Sequence, residues 1–204
     1  MTTDEHPEWA AFMSAIIANP DDDTVRLVAA DYLEENGNPD RAAFIRIQVQ
    51  LARIEADGEG KSLEADHFRA KERAFLSPLS MYPMLWAAEE CPELVRMPDR
   101  GGGRDPLEAV TVEGADRLRW HRGFLFAVRC SAEEWRSHAR AILARQPIME
   151  LSLTKCITVT TPEWLAMVPT LTGLKKLGIG NTDVQRLEWL RQQLPGVRVG
   201  PLAR

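Results

Sequence analysis

The chain has 204 residues, 45% of them apolar and 27% charged, with a formal net charge of −5; this composition excludes a disordered chain and leaves room for one sizeable core or two small ones. No window approaches the roughly 18 uninterrupted apolar residues of a membrane span, and the acidic opening MTTDEHPEWA lacks the basic-then-apolar order of a secretory signal, so a cytoplasmic location without a membrane partner is expected. Cys91, Cys130 and Cys156 are odd in number and lack Cys-x-x-Cys spacing, which predicts reduced thiols and neither a disulfide framework nor a metal site; no other cofactor is predicted.

The charge is unevenly spread. Residues 1–75 carry 16 acidic and 8 basic side chains, whereas residues 76–204 carry 14 and 17. An acidic first half argues against a protein that wraps nucleic acid, since phosphate binding favours a basic domain.

From Glu8 to Ala18 the residues Trp9, Phe12, Met13, Ile16 and Ile17 fall at helical spacing, and Asn19-Pro20 ends that helix. Asp21, Asp22 and Asp23 then precede Val25, Leu27, Val28, Tyr32 and Leu33, with a stop at Asn36-Gly37. The three carboxylates are read as a cap and dipole partner for a second helix rather than a metal site. A third helix begins at Asn38-Pro39 and carries Phe44, Ile45, Ile47, Val49, Leu51 and Ile54; a fourth runs from Ser62 to about Leu76. Asp31, Glu34 and Glu35, with Arg26, form the most enzyme-like cluster here, since paired carboxylates can serve as a general acid and base, and Asp31 and Glu35 share a helix face. With Arg26, Arg41 and Arg46 nearby, the reading preferred here is a structural ion-pair network between helices two and three.

In this region Ile17-Ala18-Asn19-Pro20-Asp21-Asp22-Asp23, Arg26-Leu27-Val28, Ala30-Asp31-Tyr32-Leu33-Glu34-Glu35, Gly37 and Phe44-Ile45-Arg46 together resemble the bacterial repeat-companion domain. Tyr32 stands where that family commonly has tryptophan, and the later Arg122-Gly123-Phe124 resembles an element that recurs in such proteins. The resemblance implies a helical domain near the N-terminus of a protein that carries leucine-rich or other repeats. It implies an architecture and no activity.

Residues 77–117 hold five prolines and Gly101-Gly102-Gly103, and read as an irregular linker with a short helix from Met84 to Glu90. Its MPDRGGGRDP segment lacks the lysine and Ser/Thr of a phosphate-binding loop, and Arg100 and Arg104 lack the interleaved aromatics of an RNA contact. From Trp120 to Val128 a period of two predicts one strand with a bulky face. Ser131 and Glu134 then form a capping box for a helix carrying Trp135, His138, Ile142 and Leu143.

Ile148 to Cys156 and Leu174 to Val184 both fit the leucine-rich-repeat template, with Leu151 and Leu177 equivalent, and Leu194 to Val199 reads as a truncated copy with Val197 in that place. Phe126 is the equivalent position of a degenerate first copy. Helices are predicted from Thr161 and from Asp183. The expected fold is therefore α/β: a helical domain over 1–76, the linker, and over 118–204 a short leucine-rich-repeat-like stack with a parallel sheet of about four strands.

Cys156 and Thr182 occupy the template position that fills the turn below the strand, so Cys156 is read as structural. The residues alternating with the buried leucines would face the concave side: Ser152, Thr154, Gly178, Gly180 and Arg198, with Lys155 and Asn181. The expected function is a non-catalytic protein-interaction, scaffold or regulatory module that binds another protein there and on the acidic helices. The alternatives are a nucleic-acid-associated regulator or a hydrolase-type enzyme using an acidic site or one built on His121 with Cys130 or His138.

Overall fold

The structure, a computed structural model, describes residues 7–77, 80, 82–94, 118–156 and 158–202. The MPDRGGGRDP segment, Arg100 and Arg104 lie outside the described residues.

Four helices form the first half: α1 (Pro7–Ala18), α2 (Asp23–Glu35), α3 (Pro39–Ala56) and α4 (Leu63–Leu76). Their ends follow the local chemistry. Asp22 accepts from the Thr24 N–H at 2.8 Å at the start of α2, Gly37 takes φ 80° after its end, Pro39 opens α3 without losing a hydrogen bond, and Ser62 accepts from Ala65 N–H. Trp9, Met13, Ile16, Ala29, Ala30, Leu33, Ala42, Ile45 and Val49 close a small core among α1, α2 and α3. Helix α5 (Tyr82–Glu90) begins two residues before the predicted Met84 and is no mere linker element. Its Trp86 lies 5.2 Å from Phe44 and 6.0 Å from Trp120, ring centre to ring centre, while Ala87 joins the core beneath the sheet.

The second half is a five-stranded sheet in the order β1-β2-β3-β4-β5, made of β1 (Leu118–His121), β2 (Phe124–Ser131), β3 (Glu150–Thr154), β4 (Lys176–Ile179) and β5 (Arg198–Pro201). Strands β2 to β5 run parallel, and β1 is antiparallel to β2. Helices α6 (Ala132–Leu143), α7 (Thr161–Leu171) and α8 (Val184–Gln193) return the chain between the parallel strands. Their Trp135, Ile142, Trp164, Met167, Leu171, Leu187 and Leu190 pack with Val128, Leu151, Leu153, Leu177, Ile179 and Val199. The expected α/β fold with four parallel strands is present, and the fifth strand, β1, is an addition. Four of the six tryptophans are buried.

Three expectations are corrected. The single strand over Trp120–Val128 is a β-hairpin turning at Arg122 and Gly123, both with positive φ (50° and 84°). Alternation also slips at Phe126, because Arg119 pairs with Ala127 while Trp120 pairs with Leu125, leaving Phe126 as a bulge. As a result Val128, not Phe126, stands beside Leu151. On the far side Leu177 pairs with Val199 rather than Val197, because Val197 still belongs to the turn in which its N–H bonds to Leu194 C=O. The step from Leu151 to Leu177 is as predicted.

The hairpin turn locks the two halves together. Arg122 donates to Asp21 C=O at 2.7 Å and lies 3.2 Å from Asp23, Gly123 sits against Ile45, and Phe124 enters the helical core 6.3 Å from Trp9. Gln48 of α3 reads the turn from below: its Oε1 accepts from Gly123 N–H at 2.6 Å, and its Nε2 donates to Glu72 at 2.8 Å and to Trp120 C=O at 3.4 Å. Replacing Gln48 with leucine strands the buried Gly123 N–H. The expected loss is about 1–3 kcal/mol, measurable by urea denaturation; a change within ~0.5 kcal/mol, the range of an ordinary surface substitution, would remove Gln48 from the junction.

Candidate functional site

The face of the sheet away from α6, α7 and α8 holds a groove of about 280 Å³. Parallel pairing places residues of equal register side by side on one face. One row therefore runs Arg119, Ala127, Glu150, Lys176, Arg198 across all five strands, and the next runs Arg129, Ser152, Gly178, Gly200. Ser152 and Gly178 lie in the groove, Arg119, Arg129, Glu150 and Lys176 border it, and Pro201 with Leu202 forms an apolar wall. A Cβ on Gly178 would meet Leu202 Cδ1 at 3.2 Å and Ser152 Oγ at 3.4 Å, so the missing side chain lets the wall close over β4. Glu150 is ion-paired with Arg119 and lies 4.0 Å from Lys176. Arg129 and Arg198 are exposed, and no ion pair engages either among the described residues.

The predicted concave residues do not all join this groove. Ser152, Gly178 and Arg198 belong to its two rows. The Thr154 hydroxyl is instead spent on Cys130 C=O at 3.2 Å, and a Cβ on Gly180 would meet Leu153 C=O at 3.2 Å and Leu202 Cδ2 at 3.6 Å. Lys155 (φ 53°) and Asn181 (φ 49°) lie past the strand ends in equivalent left-handed turns, not in the strand rows. Arg119, Arg129, Glu150, Lys176, Pro201 and Leu202 were not singled out from sequence. Glu150 and Lys176 extend the predicted alternation one step back along their strands, whereas Arg129 lies just past the predicted strand end at Val128, in a strand that continues to Ser131.

The acidic cluster is arranged differently from the expectation. Arg46 bridges Asp31 at 2.7 Å and Glu34 at 2.6 Å, so Glu34 takes the place assigned to Glu35. Arg26 and Arg41 leave that network. Arg26 is buried, donates to Asp22 C=O at 2.9 Å and lies over the Phe124 ring; burial, reinforced by the neighbouring Arg122 cation, draws its pKa down to about 10. Arg41, equally buried, pairs with Glu90 of α5 at 3.1 Å, its guanidinium resting against the rings of both Trp86 and Trp120. The three N-terminal aspartates go separate ways. Asp21 meets Lys175 at 3.1 Å, Asp22 caps α2, and Asp23 meets Arg53 and Arg122, both at 3.2 Å.

His121 packs on Phe126 at the hairpin end, six positions from Cys130 along β2 and so roughly 20 Å away. Cys130 and His138 border a separate cavity of about 10 Å³, enough for one water. The structure therefore does not assemble His121 with either. Cys156 donates to Leu153 C=O at 3.4 Å below β3, and burial pushes its thiol up to about 11; Cys91 is pushed up to about 12 by the same cause. Both shifts keep the thiol protonated and unreactive. Folded protein at pH 8 is expected to react with a thiol reagent far more slowly than unfolded protein, as absorbance of the released chromophore would show; a fast stoichiometric reaction would contradict this burial. Since the folded state holds these protons more tightly than the ordinary pKa of 9.0 allows, stability is expected to fall as pH rises from about 9 towards 11.

Compared with models of known families, with curated proteins and with solved structures, the chain matches none. No described helix is long and apolar enough to cross a membrane.

Proposed function

We propose that this protein is a non-catalytic interaction module that holds another protein on the open face of its sheet, with the helical half bracing the sheet from its β1 end. The groove over Ser152 and Gly178 carries this reading: it presents hydroxyl, backbone and cationic side chains together with the apolar wall of Pro201 and Leu202, a mixture suited to a protein surface. The likeness of the first half to repeat-companion domains agrees with it, since that resemblance implies a helical companion beside a binding repeat. The three buried thiols fit a reducing cytoplasm.

A photo-reactive amino acid placed at Ser152, and in a second preparation at the exposed Leu165 on the helical side, tests the reading in native cells. One protein should be captured from position 152 and not from position 165. Equal capture from both positions, or none, would overturn the assignment of this face.

A further inference from the structure

The charges on the open face fall into two poles. On one side stand Arg119 of β1 and Arg129 of β2; on the other stand Lys176 of β4 and Arg198 of β5, adjacent in register. Between them β3 contributes Ser152 and one carboxylate, Glu150, which already faces Arg119. At about 4.8 Å per strand, and about 6.6 Å along the strands between the two rows, the backbone at Arg129 lies about 12 Å from that at Lys176 and about 16 Å from that at Arg198.

We propose that the partner presents to this face an extended acidic segment whose carboxylates are four residues apart, one for each cationic pole. This rests on the reading of the face as a protein-binding surface. Four residues of extended chain span about 13 Å and return to the same side of the strand, which matches the separation of the poles. Residues between the two carboxylates pass over Ser152 and Gly178, where Glu150 disfavours a further negative charge and Leu202 offers an apolar contact. Charge complementarity selects the acidic partner, because three uncompensated positive charges remain after Glu150 is counted against Arg119, Arg129, Lys176 and Arg198. A single-stranded nucleic acid fits less well: among the described residues no aromatic side chain lines the groove to stack a base, and Glu150 lies where a continuous run of phosphates would pass.

The probe is a labelled synthetic peptide with two glutamates four residues apart, separated by valine, serine and alanine, titrated by fluorescence anisotropy against the full chain. The comparison probes are the same composition with adjacent glutamates, a lysine counterpart and a single-stranded RNA. Binding of the spaced-glutamate peptide is expected to be the tightest, to weaken with salt, and to fall about tenfold with Arg129→Glu and again with Arg198→Glu. Both arginines are exposed, so the melting temperatures of these variants should stay near that of the parent protein. Failure of the spaced peptide to bind, equal binding of the adjacent-glutamate peptide, or tighter binding of RNA would overturn the proposal. Cross-linking from position 152 separates this failure from that of the underlying reading: a partner still captured after both charge reversals leaves the binding face standing and removes its acidic preference.

Discussion

Replacing Gly123 with alanine is expected to cost about 3 kcal/mol of stability and to loosen the sheet from the helices. Two effects coincide at this position. The residue holds φ 84°, which a side chain resists, and a Cβ there would lie 2.4 Å from Ile45 Cγ1 and 2.8 Å from Ile45 Cα. The Ile45 backbone is fixed within α3, so relief requires the hairpin to withdraw. Withdrawal also breaks the Gly123 bond to Gln48 and draws Phe124 out of the helical core. Urea denaturation measures the cost, and Gly173→Ala is the control, since nothing lies within 4 Å of its Cβ position and its φ is ordinary. Equal midpoints for the two variants would refute the tight approach at Gly123.

Removal of the Glu90 carboxylate in Glu90→Ala should cost about 3–5 kcal/mol, because it leaves Arg41 as a buried charge without its counterion. Arg41 is 1% exposed and Glu90 10%. Among the described residues the Arg41 Nε and Nη1 have no hydrogen-bond acceptor, and the ring faces of Trp86 and Trp120, each 4.6 Å from the guanidinium carbon, supply only part of what water would. Burial lowers the Arg41 pKa, and Glu90 opposes that shift. Glu90 also accepts from Gln146 Nε2 at 2.6 Å, while Gln146 Oε1 accepts from Leu125 N–H, so its loss reaches the sheet. The double variant Arg41→Met, Glu90→Leu should recover most of the stability, since apolar side chains of similar size need no counterion. A double variant as unstable as Glu90→Ala would show that the ion pair itself, rather than the orphaned charge, sets the energy.

What could be read along the chain was whatever depends on neighbours in sequence. Asp22, Ser62, the Ser131 and Glu134 pair and Asp183 mark helix starts by bonding to N–H groups two or three residues away, and Pro39 marks one by needing no N–H partner in the first turn. The Leu151-to-Leu177 spacing likewise carried through to the sheet, because both copies keep the full leucine template and so enter their strands at the same register.

Partners distant in sequence were not legible. Arg26, Arg41, Arg46, Asp31 and Glu35 are close in the chain and suggested one network, yet burial divides them: Arg41 finds Glu90, Arg26 a backbone carbonyl, and Arg46 the exposed Asp31 and Glu34. The open face shows the same limit, since its cations Arg119, Arg129, Lys176 and Arg198 come from four strands.

Residue order alone specified the helices, their caps, the repeated strand-and-helix units and the alternation that puts Ser152 opposite the buried leucines. Packing in three dimensions was needed to make Arg122, Gly123 and Phe124 the turn that joins the halves, to bulge the chain at Phe126, and to bring Arg119, Arg129, Lys176 and Arg198 onto one face. Caps and periodicity act within a few residues and leave their mark in order, whereas a sheet face gathers residues up to 79 positions apart, from Arg119 to Arg198, through hydrogen bonds that form only when the chain has folded.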